Sequence, residues 1–258
     1  MRAQLVASAL VTCLTAPLAH ADADDLVGDR LVLPARTLDV RLTWEVNLQK
    51  GRYTRPLSIA PDLWFGVTDR WTIGITHSNA SVDRIDADAT FCVREFASVC
   101  DRVYRGSHVD VRWSWQEGAL AVAPRGRLLL RDVDPMKPAV TIGALVRWTR
   151  GRFRILSDPY LRVGLANTDQ GNRAALMFPV WLGIQPTRGW LLEIHTGYDG
   201  DLAVWPDGWH IPFALVARVR PASQLEVALE AGFSSLLGPQ NNIKQRAVML
   251  TVGWRGGV

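Results

Sequence analysis

Lysine is nearly missing: only Lys50, Lys137 and Lys244 stand among the 29 basic residues, and the rest are Arg. The net charge is only +4, and it is spread along the chain. Nucleic-acid binding needs a concentrated basic face, so no nucleic-acid partner is expected. Long hydrophobic runs are missing too. Nothing after the N-terminal region reaches the roughly 18 unbroken apolar residues of a spanning helix; the densest stretch, 174–184, is shorter and contains Pro179. There is no phosphate-binding Gly loop, haem motif or fixed-period repeat, and no cofactor is expected. The chain is rich in apolar residues, at 48%, which excludes a disordered composition. It also holds eleven Trp.

The first 21 residues read as a secretory leader. Met1-Arg2 is positive, Gln4 to Leu18 is mostly apolar, and Ala19-His20-Ala21 is a small-x-small cleavage site before Asp22. Residues 22–35 are expected as a short N-terminal periplasmic segment and 36–258 as a single domain.

Helical periodicity is absent from that domain. In Leu38 to Asn47 every even position is apolar and every odd one polar, so a strand sorts them onto two faces where a helix would mix them. Eleven further segments pass the same test, at 57–68, 71–79, 108–116, 119–131, 139–148, 153–165, 174–185, 190–199, 209–220, 224–234 and 246–255. Connections alternate. Tight turns such as Asp69-Arg70 and Glu117-Gly118 follow the even strands, and longer polar segments follow the odd ones. The longest is 80–106. Twelve strands of this length suit tilted spanning segments of about 9–11 residues.

The apolar face carries aromatics at its two ends. Trp71, Trp115, Trp148, Trp190 and Trp254 fall near the short turns, Trp44 and Trp209 near the long loops, and aliphatic residues lie between. Two aromatic girdles around an aliphatic band match two membrane interfaces. The competing arrangement is a secreted β-sandwich with that face turned inward. The whole pattern resembles bacterial outer-membrane β-barrels. The resemblance implies an all-β, antiparallel up-and-down transmembrane barrel of about twelve strands, with short turns in the periplasm and long loops outside. It implies outer-membrane lipid and the barrel-assembly machinery as partners. The last strand, Val248 to Trp254, resembles the terminal assembly signal of such barrels, although Arg255 to Val258 continue past it.

The other face would line the lumen. Arg125, Arg127, Arg131, Arg147, Arg154 and Arg162 cluster on the strands spanning 119–165 and are the expected basic lining. Asp39, Glu45, Asp62, Glu193, Asp199, Glu226 and Glu230 lie on the remaining strands and are the expected acidic lining. In a twelve-stranded ring these sets oppose each other, and rings of charge select solutes. Paired charges could equally close a narrow barrel. Arg125, Arg127 and Arg162 are expected near mid-height, facing Glu193, Glu230 and Asp62.

Cys92 and Cys100 are the two cysteines beyond the leader, and in an oxidising compartment they should pair. No nearby His or third Cys completes a metal site. Outer-membrane phospholipases carry a His-x-Ser-Asn run; here His77 and Ser78 are adjacent, and period two points them to opposite faces. His108, Asp110, Asp199 and His210 lack the paired dipeptides of omptin-like proteases. Glu193 and His195 share the inward face without an identifiable nucleophile. The chain is therefore read as a non-enzyme: a channel for small polar or charged solutes. A hydrolase acting on lipid or peptide, and a closed structural or adhesion barrel, remain alternatives.

Overall fold

The structure is a computed structural model that describes residues 26–48, 57–77, 91–94, 100, 103–104, 106–242 and 246–258. The expected leader, Ser78 and most of the 80–106 loop lie outside the described residues. The strands are β1 (Thr37–Asn47), β2 (Leu57–Thr68), β3 (Trp71–Thr76), β4 (Phe91–Arg94), β5 (Ser107–Trp113), β6 (Leu120–Val133) and β7 (Met136–Arg150). They continue as β8 (Phe153–Ser157), β9 (Tyr160–Gly164), β10 (Ala175–Thr187), β11 (Trp190–Asp201), β12 (Trp209–Ala222), β13 (Leu225–Leu237) and β14 (Arg246–Gly257). All pairings are antiparallel, and β1 pairs with both β2 and β14, which closes the sheet. β8 and β9 are two halves of one stave, broken at Asp158-Pro159, and each pairs with β7 and β10. β4 stands outside the ring against Leu57–Ile59. The result is a closed twelve-stranded barrel.

β3 shows why this sequence folds so. Trp71, Ile73 and Ile75 are exposed, while Thr72, Gly74 and Thr76 are buried. The apolar face points out and the polar face points in, the reverse of a soluble sandwich. Ile142 is 75% exposed near the middle of β7. Trp71, Trp115, Trp148, Phe153 and Trp254 form the exposed aromatic ring at the short-turn end. Trp44, Trp190 and Trp209 are half-buried.

Two details depart from the sequence reading. The strand β4 lies inside the segment expected as loop, where a short run pairs with the edge of β2 that β3 does not reach. And β6 joins β7 through a two-residue turn at the long-loop end, with Val133 opposite Met136. The Asp132 carboxylate accepts from the backbone N–H of Val133 and Asp134, so a side chain that marks a polar loop here builds a tight turn. Cys92 and Cys100 form the expected disulfide.

Residues 26–35, within the short segment ahead of the barrel, lie across its short-turn mouth. Leu26 and Val27 pack on Leu191 of β11; Val32 packs on Ala123 of β6 and Leu145 of β7. The Val27 N–H donates to Gln185 Oε1 at 3.0 Å, the Leu33 N–H to Thr72 Oγ1 at 2.8 Å and the Ala35 N–H to Asp69 Oδ1 at 3.0 Å. At Gly66 a Cβ would sit 1.9 Å from the Pro34 carbonyl oxygen, so only glycine lets the segment pass so close to β2.

Candidate functional site: the lumen and its closed mouth

Asp29 is the centre of the attachment. Its carboxylate takes the fork of Arg220 on β12, at 3.1 and 2.5 Å, and lies 3.8 Å from Arg255 on β14. Its backbone carbonyl accepts from Arg147 on β7, as does the Gly28 carbonyl at 2.7 Å. Arg154 donates to the Leu26 carbonyl at 2.8 Å. At the rim Arg30 pairs with Glu117 at 2.6 Å, a contact that holds the Glu117 carboxyl below its ordinary range. The segment is thus held from opposite sides of the ring.

Above it the inner face is laced with ion pairs. Arg125 bridges Asp110, at 2.9 and 2.6 Å, and Asp158. Arg112 also pairs with Asp110. Trp64 donates to Asp110 at 3.1 Å and lies between the guanidinium groups of Arg41 and Arg112, 5.6 and 5.1 Å from its ring. A Cβ on Gly74 would come within 2.3 Å of that indole, so glycine makes room for it. On the other side Glu193 joins Arg154 and Arg218, at 2.7 and 2.6 Å. Glu226 meets Arg218 and Arg220, and Asp39 meets Arg41 and Arg255.

Most of the expected lining residues are buried on the inner face and are paired with near neighbours. Arg41, Arg218, Arg220 and Arg255 lie among the expected acids and pair with them. Arg125 meets Asp110 and Asp158, not the expected Glu193, Glu230 or Asp62. The remaining acids also have neighbours. Glu230 bonds His195 at 2.7 Å, Asp199 lies 3.8 Å from His210, Asp62 accepts from the His77 backbone at 2.6 Å, and Glu45 is buried in the wall. Arg131 bonds Asn172 at 3.2 Å. Arg127 donates to Thr141 at 3.0 Å. Asp29 and Arg220 escaped the sequence reading. Arg220 shares the inward face with Arg218 and was legible from period two; Asp29 lies outside any strand.

Between the segment and mid-height is a cavity of about 220 Å³. Arg30, Leu31 and Leu33 form part of its lining with Trp64, Trp181, Asp62, Arg112, His195 and Glu230. Trp181 stacks on His195 with centroids 4.4 Å apart. The His195 Nε2 that would serve a nucleophile is buried without a hydrogen-bond partner among the described residues. His77 contacts the Pro61 carbonyl through Nδ1, and the structure pairs His210 with Asp199 without bringing His108 to them.

The barrel is similar to solved outer-membrane barrels. It superposes on the NanC porin with a TM-score of 0.54 and 9% identity, over 84% of this chain and 98% of that one. It superposes on an outer-membrane channel from Pseudomonas putida F1 with a TM-score of 0.54 and 13% identity, over 89% and 98%. At these identities the likeness is one of fold. No protein-family model matches the chain, and no curated protein matches it in sequence.

Proposed function

We propose that this protein is a channel of the bacterial outer membrane for small polar or charged solutes, closed at its short-turn mouth by its own N-terminal segment. The observation that carries the reading is the floor of the lumen cavity. Part of it is made by Arg30, Leu31 and Leu33, a segment outside the strands that is held by ion pairs, hydrogen bonds and the packing of Leu26, Val27 and Val32 on the wall. The barrel fold shared with a porin and an outer-membrane channel supports it. Solute passage then requires residues 26–33 to leave the mouth, and the Asp29 clamp sets how often they do.

The ion-paired lumen favours one second reading, a closed barrel that presents its loops. Planar-bilayer recording separates the two. The channel reading expects rare, brief openings from the native protein and sustained conductance steps from an Asp29→Ala variant. A correctly folded Asp29→Ala barrel that stays silent would sink it in favour of the closed barrel.

A further inference from the structure

Arg127 and Arg162 differ from the guanidinium groups around them. Arg127 on β6 lies opposite Thr141 on β7, and Thr141 lies opposite Arg162 on β9. The two Arg therefore share one row, roughly 10 Å apart at Cα given the spacing of neighbouring strands. Both are buried, at 4% and 9% exposed. Arg127 donates one bond to Thr141 and lies 4.2 Å over the Tyr160 ring, but its Nη2 has no hydrogen-bond partner among the described residues. Arg162 has no hydrogen bond or ion pair among the described residues, and its Nε is buried.

The nearby acids are engaged elsewhere. Asp110 lies directly opposite Arg127 across the β5–β6 ladder, but its ion pairs go to Arg112 and Arg125, and Asp158 holds Arg125; Asp158 Oδ1 has no hydrogen-bond partner among the described residues. His108, diagonal to Arg127 across the β5–β6 ladder, is buried, and its Nδ1 has no hydrogen-bond partner among the described residues. Two buried like charges with free N–H groups are unfavourable unless negative charge and acceptor oxygens are supplied. The guanidinium fork matches an oxyanion.

We propose that Arg127 and Arg162, with Thr141 between them, form a binding site for a small oxyanion inside the lumen. This deepens the channel reading, on which it rests for its access route, by naming anions as the solute class.

The test is calorimetric titration of the full folded chain in detergent with inorganic phosphate, at fixed ionic strength in chloride. Saturable binding is expected, weakened at least tenfold by Arg162→Gln and by Arg127→Gln, and unchanged by Arg188→Gln in a short turn. Arg162→Gln removes no pair, and heat-modifiable electrophoretic mobility checks its fold. Should it fail to assemble, Thr141→Val must weaken binding in its place. Absence of saturable binding, or native affinity in these variants, overturns the site. Saturable binding by a protein that never conducts leaves the site standing and removes the channel reading; a conducting barrel that binds no phosphate does the reverse.

Discussion

The Asp29 carboxylate and the Arg220 guanidinium form a bidentate pair that ties the N-terminal segment to β12. Arg147 grips the same residue by its backbone carbonyl from β7. A side-chain substitution can release the first contact without touching the second. Asp29→Ala should therefore loosen the segment while leaving the strands paired. With a cysteine at Leu31, which lines the cavity, maleimide labelling should run at least tenfold faster in the Asp29→Ala background. Equal rates in both backgrounds would mean that the clamp does not hold the mouth shut.

Arg125 and the Arg127–Arg162 row should behave differently, although the sequence groups them. Arg125 is 6% exposed and neutralises two buried carboxylates. Removing one partner of a buried pair costs about 3–5 kcal/mol because the other charge is stranded. Arg125→Gln is expected to lower unfolding stability by about that amount in denaturant titrations in lipid. Arg127→Gln/Arg162→Gln should stay near native stability and shift the reversal potential toward cations, most clearly in dilute salt where screening is weak. A stable Arg125→Gln barrel would contradict the structural role given to Arg125.

Acid should loosen the rim. Arg30 donates to Glu117 and holds its carboxyl below the ordinary carboxylate range. A depressed carboxyl supports the folded contact above its unfolded value and loses that support as the pH falls through the lowered one. Opening frequency in bilayers should rise below about pH 4, the usual carboxylate region, and Glu117→Gln should show the raised frequency already at neutral pH. The pair is exposed, so the effect should be modest and should shrink in high salt. A pH response that persists unchanged in Glu117→Gln would assign it to another group.

The barrel was legible because its signal repeats. Each stave, as in Trp71 to Thr76, alternates with period two, and twelve such runs leave little room for another fold. The inward identities of Arg125, Arg154 and Glu193 followed from the same phase. Their partners did not. Phase tells which face a side chain occupies, not its height, and pairing depends on the stagger between strands. Asp110 and Asp158 come to Arg125 through register alone. The segment 26–35 was unreadable for another reason: Leu26, Val27, Val32 and Leu33 have no periodicity, and a short apolar stretch does not announce the cavity it enters. Nor did the 80–106 loop announce β4, which needs the edge of β2 beyond the end of β3 to pair with.

The outer face allows a test of the membrane itself. Ile142 lies near mid-height on β7 and is 75% exposed, so in a bilayer it meets lipid and in water it would be solvated. Its neighbours in the ladder, Gly126 and Leu161, leave the pairing independent of its side chain. Arginine at a lipid-facing midplane position costs about 2–4 kcal/mol, whereas arginine on a solvated strand costs little. Ile142→Arg is expected to lower unfolding stability in phospholipid vesicles by about that amount, and the same substitution at Trp115, beside the short turn, should cost less. Equal and negligible effects at both positions would mean that this apolar face does not meet a bilayer, and the outer-membrane reading would lose its physical basis.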